Sequence, residues 1–247
     1  MLHVLFAAAA AAAELPCSTM GPAAHASPWK HVGPAGYAMY DDALKLESAG
    51  AAQAMVQING SSAWLLATAN GGIWKTADLH ASPIKWRQVL DNQPVTCTSI
   101  SAMEAFGSTI VAGCGGATSS EMGYDWMVMN SGDWGGVMIS RDGGETWAMT
   151  HFPPNYFVTA FVLTSESSFL AAARAHLTSR DDGGVWKTSD GGATWTRTFY
   201  KPVYDLVREP KSGAVLAALP WVGDFESVQL SKSGGQTDDW TPAAKGI

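Results

Sequence analysis

One pattern of 13 residues occurs twice in this chain: Gly183 to Trp195 reads G-G-V-W-K-T-S-D-G-G-A-T-W, and Gly135 to Trp147 reads G-G-V-M-I-S-R-D-G-G-E-T-W. Each copy keeps in register a hydroxyl residue (Ser140, Thr188), an aspartate (Asp142, Asp190), a glycine (Gly144, Gly192), a threonine (Thr146, Thr194) and a tryptophan (Trp147, Trp195). Glycine enters positive φ without a Cβ clash, and Thr and Asp side chains bond nearby backbone amides, so the pattern predicts a tight turn between two short strands. The tryptophan then anchors the strand that follows. Degraded copies flank these two. G-G-I-W-K-T-A-D runs from Gly71 to Asp78 with Trp86 as its tryptophan, and L-S-K-S-G-G-Q-T-D-D-W runs from Leu230 to Trp240 with Ser233 in the place of the aspartate.

Trp86, Trp147, Trp195 and Trp240 are 61, 48 and 45 residues apart. A period near 45 with several short apolar strands per period predicts an all-β chain folded as a β-propeller, each unit one four-stranded blade whose faces are buried by its neighbours. Four units are legible, at 52–90, 96–150, 157–200 and 203–243 within a propeller region of 52–247. A content of 26 glycines and 11 tryptophans suits many short strands joined by tight turns. Residues 27–51 read as an N-terminal strand around Trp29 followed by an irregular segment, which leaves one strand more than four blades need. Two arrangements fit: a four-bladed ring with an added strand, or part of a larger propeller. The second is favoured, because exposed sheet edges are a liability that ring closure removes.

The [ST]-x-D-x-G-x-T-W pattern resembles the Asp-box, or BNR, repeat of sialidase-type β-propellers. The preceding G-G-[IV]-W-K-T is similar to the versions found in xyloglucanases, sortilin-type receptors and photosystem II assembly-factor propellers. The resemblance implies that the turns join third and fourth strands on the face away from the ligand site. Ser140, Asp142, Gly144, Thr146 and Trp147, and Thr188, Asp190, Gly192, Thr194 and Trp195, are then structural rather than catalytic. It implies architecture more than activity, since the repeat occurs in enzymes and non-enzymes alike.

The opposite face is expected to carry the loops between second and third strands, and the longest of these spans 115–134. It holds Glu121, Tyr124, Asp125, Trp126, Asp133 and Trp134; the next two blades add Arg174, Arg180, Asp181 and Asp182, and then Trp221. Aromatic rings beside carboxylates stack on sugar faces or anchor a peptide, although the same tryptophans would equally well fold the loop onto its own blade. A sialidase needs three convergent arginines and a tyrosine nucleophile, whereas two of the six arginines here, Arg141 and Arg197, lie in or just after the turns. A xyloglucanase-like hydrolase needs paired carboxylates across a cleft between two propellers, and Asn70 precedes the first G-G. The six histidines are scattered, so no metal site and no cofactor are expected. The favoured reading is a non-catalytic propeller binding a glycan or protein through these loops. The alternatives are a glycoside hydrolase with catalytic residues in further blades or among Arg174, Arg180, Asp181 and Asp182, and a propeller similar to the photosystem assembly factors.

Net charge is −7 with no Lys/Arg cluster in the sequence, the wrong field for a nucleic-acid partner. A monomer is expected. Residues 1–26 read as a signal peptide or disordered leader: Met1 to Ala13 is too short to span a bilayer but suits a signal-peptide core, and Ala24-His25-Ala26 offers a cleavage site. Secretion is preferred, with an organelle lumen as the alternative, and no later stretch predicts a membrane span. Cys97 and Cys114 fall on consecutive strands of one unit, where either a disulfide or two buried thiols fits.

Overall fold

The computed structural model describes residues 37–38, 47–48, 51–69, 71–95, 97–115, 135–154, 156–175, 183–219 and 227–243. Sixteen of its strands form four antiparallel four-stranded meanders. The first sheet is β3 (Ala51–Gln57), β4 (Trp64–Ala69), β5 (Gly72–Thr76) and β6 (Arg87–Gln88), and the second is β7 (Ile100–Phe106), β8 (Thr109–Cys114), β9 (Val137–Ser140) and β10 (Ala148–Met149). The third is β11 (Tyr156–Leu163), β12 (Phe169–Ala175), β13 (Gly183–Thr188) and β14 (Thr196–Phe199); the fourth is β15 (Asp205–Arg208), β16 (Val215–Ala218), β17 (Val228–Ser231) and β18 (Trp240–Pro242). No helix occurs among the described residues, so the chain is an all-β propeller-type fold. Within the segment expected to be irregular, β1 (Tyr37–Ala38) pairs with β2 (Glu47–Ser48) as a two-residue ladder. Trp29 lies outside the described residues.

Strand order within each sheet follows chain order, so β3, β7, β11 and β15 are first strands, and each of them packs against the next. Successive sheets bury one another through three apolar clusters. The first cluster joins sheets one and two around Leu65, Ile73, Ile100, Ile110, Met138 and Trp147. The second joins sheets two and three around Val111, Val137, Phe152, Phe169 and Trp186, and the third joins sheets three and four around Leu170, Val185, Val203, Leu206 and Val215. Small residues set the approach where sheets meet: Ala112, Ala171, Ala172, Ala173 and Ala217 are fully buried. Polar side chains bridge the same seams, with Ser101 donating to the Val158 carbonyl at 2.5 Å and Thr159 to the Val203 carbonyl at 2.7 Å. Among the described residues no apolar cluster joins the fourth sheet to the first, and Met55, Val207 and Leu216 are exposed there.

Cys97 and Cys114 form a disulfide, with Cα atoms 5.7 Å apart, which ties the segment leading into β7 to the end of β8. A loop of 17 residues closed in this way loses chain entropy worth about 3 kcal/mol in the unfolded state. Both residues are buried within the first cluster.

Candidate functional site

The D-G-G turns after β9 and β13 are built by side chains. In the second sheet Ser140 Oγ accepts from the Gly144 amide at 2.8 Å and donates to Asp142 Oδ1 at 2.8 Å. That Oδ1 also accepts from the Glu145 and Thr146 amides at 3.0 and 2.9 Å, while Oδ2 accepts from Thr146 Oγ1 at 2.6 Å. The third sheet repeats the arrangement with Thr188, Asp190, Gly192 and Thr194 at 2.6–2.9 Å. The tryptophan closes each turn, Trp147 Nε1 donating to the Gly144 carbonyl at 3.2 Å and Trp195 Nε1 to the Gly192 carbonyl at 3.1 Å.

The fourth sheet reaches the same end by an exchange of roles that the sequence conceals. Ser233 stands where the other copies have aspartate, but Asp239, immediately before Trp240, supplies the carboxylate. Its Oδ2 accepts from Ser231 Oγ at 2.5 Å, Ser233 Oγ at 2.7 Å and the Ser233 amide at 2.8 Å. Ser231 Oγ accepts from the Gly235 amide at 2.6 Å, as Ser140 does from Gly144. Hydroxyl and carboxylate have traded places across the turn. Trp240 is less well served: its buried Nε1 has no hydrogen-bond partner among the described residues.

These carboxylates are held ionised. For Asp142, burial pushes the pKa up, but the Thr146, Ser140 and Glu145 donors outweigh it and bring it to about 2. Asp190 falls to about 2 through Thr194 and then Thr188, and Asp239 to about 2 through Ser231 and then Ser233. A group whose folded pKa is depressed stabilises the fold above its ordinary value and loses that contribution as pH falls towards the folded value. Melting temperature should therefore hold down to about pH 4 and decline steadily between pH 4 and pH 2. Circular dichroism melts at half-unit intervals would check this. The triple variant Asp142→Asn, Asp190→Asn, Asp239→Asn should show a shallower decline, and equal slopes would refute the assignment.

The long connections leave from the other end of the sheets. β8 to β9, β12 to β13 and β16 to β17 are second-to-third crossings, so the antiparallel meander puts them opposite the turns. Of the ligand candidates, Glu121, Tyr124, Asp125, Trp126, Trp134, Arg180, Asp181, Asp182 and Trp221 lie outside the described residues. Arg174 is described. It lies next to the last residue of β12, half-buried, with its guanidinium 4.5 Å above the Tyr204 ring, so it braces sheet three against the entrance to sheet four at this end. No group of three or more His, Cys, Asp or Glu side chains suited to a metal occurs among the described residues. Among them, too, no helix is long and apolar enough to cross a membrane.

Neither a protein-family model nor a curated protein sequence matches the chain. Solved structures do. YCF48 bound to D1 peptide superposes with a TM-score of 0.52 at 14% identity over 81% of this chain and 55% of that one. YCF48 from Cyanidioschyzon merolae gives 0.54 at 13% identity over 82% and 59%, and the GH74 xyloglucanase from Xanthomonas campestris gives 0.51 at 14% identity over 74% and 28%. At these identities what is shared is the fold. The chain spans less than two thirds of the length of each of these structures.

Proposed function

We propose that the chain is an Asp-box propeller acting as a non-catalytic binding scaffold, which takes a protein segment or a glycan on the second-to-third-strand loops. The observation that carries this reading is the saturation of the turn carboxylates. Asp142, Asp190 and Asp239 each spend their oxygens on their own turn and sit near pKa 2, so none serves as a proton donor at neutral pH. Conserving the turn geometry while exchanging its residues, as Ser233 and Asp239 do, is what a structural repeat requires. The long loops at the opposite end then remain for recognition, and Arg174 over Tyr204 gives them a braced floor. That a YCF48 structure holds a D1 peptide supports testing the peptide reading beside the glycan one. Secretion or passage into an organelle lumen is supported by the apolar leader and by the Cys97–Cys114 disulfide, a bond that persists in oxidising compartments.

A displayed-peptide panel and immobilised xyloglucan oligosaccharides, each tested against the full chain, separate the readings. Selected peptides should bind and lose at least tenfold in affinity with Trp126→Ala, with no release of reducing sugar from xyloglucan. Wild-type hydrolysis of xyloglucan abolished by Asp181→Ala would replace this reading with a glycoside hydrolase.

A further inference from the structure

At the turn-bearing end, sheets three and four part to leave a cleft of ≈ 380 Å³. Lys187 from β13, Arg208 from the end of β15 and Lys232 from the last turn line it, together with Ser168, Ser212 and Ser233. Among the described residues none of the three cations is ion-paired. The nearby carboxylates spend their hydrogen bonds on backbone and hydroxyl groups: Glu209, which also attracts Arg208, accepts from the Lys211 and Ser212 amides at 2.9 and 2.5 Å, and Asp239 is held by Ser231 and Ser233. On a chain of net charge −7, three positive side chains around one unfilled space are a local reversal of sign.

The molecule itself shows what such a cleft accepts. Lys187 lies opposite Leu170 in its ladder, and Gly235 of the following sheet packs on that leucine; likewise Lys75 lies opposite Leu65, on which Gly144 packs. The two lysines are therefore equivalent, one sheet before the turn that each faces. Between sheets one and two the position is filled. Glu145, next after Gly144, puts Oε1 2.7 Å from Lys75 Nζ and Oε2 2.5 Å from Arg87 Nη2, while Lys75 also donates to the Gly143 carbonyl at 2.6 Å. Between sheets three and four the residue next after Gly235 is Gln236, exposed and uncharged. The lysine is kept and its carboxylate is missing.

We propose that the cleft between sheets three and four binds a carboxylate side chain of an acidic peptide segment, seated between Lys187, Arg208 and Lys232 where Glu145 sits two seams earlier. The surface is at the end away from the recognition loops, so the proposal stands or falls separately from their reading. The site should be tested with fluorescein-labelled tetraglutamate, tetraglutamine as the neutral control, and the full chain in 50 mM salt, by fluorescence anisotropy. Tetraglutamate should bind and tetraglutamine should not. Lys187→Gln should weaken binding about tenfold and reduce its salt dependence, as expected when a charge contact is removed. Gln236→Glu should weaken it at least as much, because it supplies the missing carboxylate from within, and should leave the fold intact as judged by circular dichroism. Equal affinity of wild type and Gln236→Glu would overturn the proposal, as would equal binding of the two peptides. Displacement of tetraglutamate by an equimolar amount of inorganic phosphate would also overturn it, by showing a general anion site instead.

Discussion

Replacing Trp186 by alanine should destabilise the protein by about 3–5 kcal/mol, the range for removing a large aromatic side chain from a packed core. The indole is 3% exposed and packs against Phe152, from the connection between the second and third sheets, and Tyr156 of β11. Its ring centroid lies 5.4 Å from Phe152 at 67°, an edge-to-face contact, and 4.6 Å from Tyr156. The Arg197 guanidinium covers it at 5.0 Å. Phe152 in turn meets Trp195 at 4.9 Å, and Trp195 meets Phe169 at 5.4 Å, so the indole is one member of a connected aromatic set. Such pairs add about 0.5–1.5 kcal/mol each beyond the area they bury. Val111, Val137 and Val158 from β8, β9 and β11 are fully buried in the same cluster and cannot collapse into the space without moving their own strands. For a chain of this size the loss should lower the melting temperature by roughly 8–15 °C. Far-ultraviolet circular dichroism is the suitable probe, since the remaining tryptophans would confuse a fluorescence signal. A melting temperature within 2 °C of wild type would show that the seam between sheets two and three is not held by this indole.

The turns around Asp142 and Asp190 were legible because every partner lies within a few residues. Ser140 to Thr146 and Thr188 to Thr194 are complete hydrogen-bonded units in the chain itself. Asp239 escaped the same reading because two extra residues separate it from the glycines, and a carboxylate just before the tryptophan has no place in the linear pattern. Only the folded turn shows that it meets Ser231 and Ser233. The tie from Lys75 and Arg87 to Glu145 spans 70 and 58 residues and joins different copies of the repeat. No local signal marks it. Its absence between Lys187 and Gln236 is a difference between seams, and becomes visible only once the ladders fix which lysine corresponds to which. The disulfide was one of two readings that the spacing left open, and the bond between the two sulfurs, with Cα atoms 5.7 Å apart, decides it.

The glycine pairs that precede β9 and open β13 are the clearest case of residues whose type is readable and whose reason is not. Gly135 adopts φ +85°, and a Cβ built there would fall against the backbone of Tyr156, 2.8 Å from its carbonyl carbon and 3.0 Å from its nitrogen, with the carbonyl oxygen closer still. Tyr156 opens β11, so this is a contact between the entry to the second sheet's third strand and the first strand of the next sheet. Backbone cannot rotate aside as a side chain can. Gly135→Ala should therefore combine strain at a positive φ, about 1–3 kcal/mol, with overpacking of about 1–3 kcal/mol more. Gly60 provides the control. Its φ is +77°, but nothing stands within 4 Å of the Cβ position, so Gly60→Ala should carry the strain alone, about 1–2 kcal/mol. Urea unfolding of the two variants side by side would separate the effects, because their φ angles are nearly the same and their surroundings are not. A difference of less than about 1 kcal/mol between them would mean that the sheets part freely at Gly135. That in turn would remove the close approach of β9 to β11 as a determinant of how neighbouring sheets are spaced, and leave the spacing to the apolar cluster around Trp186 alone.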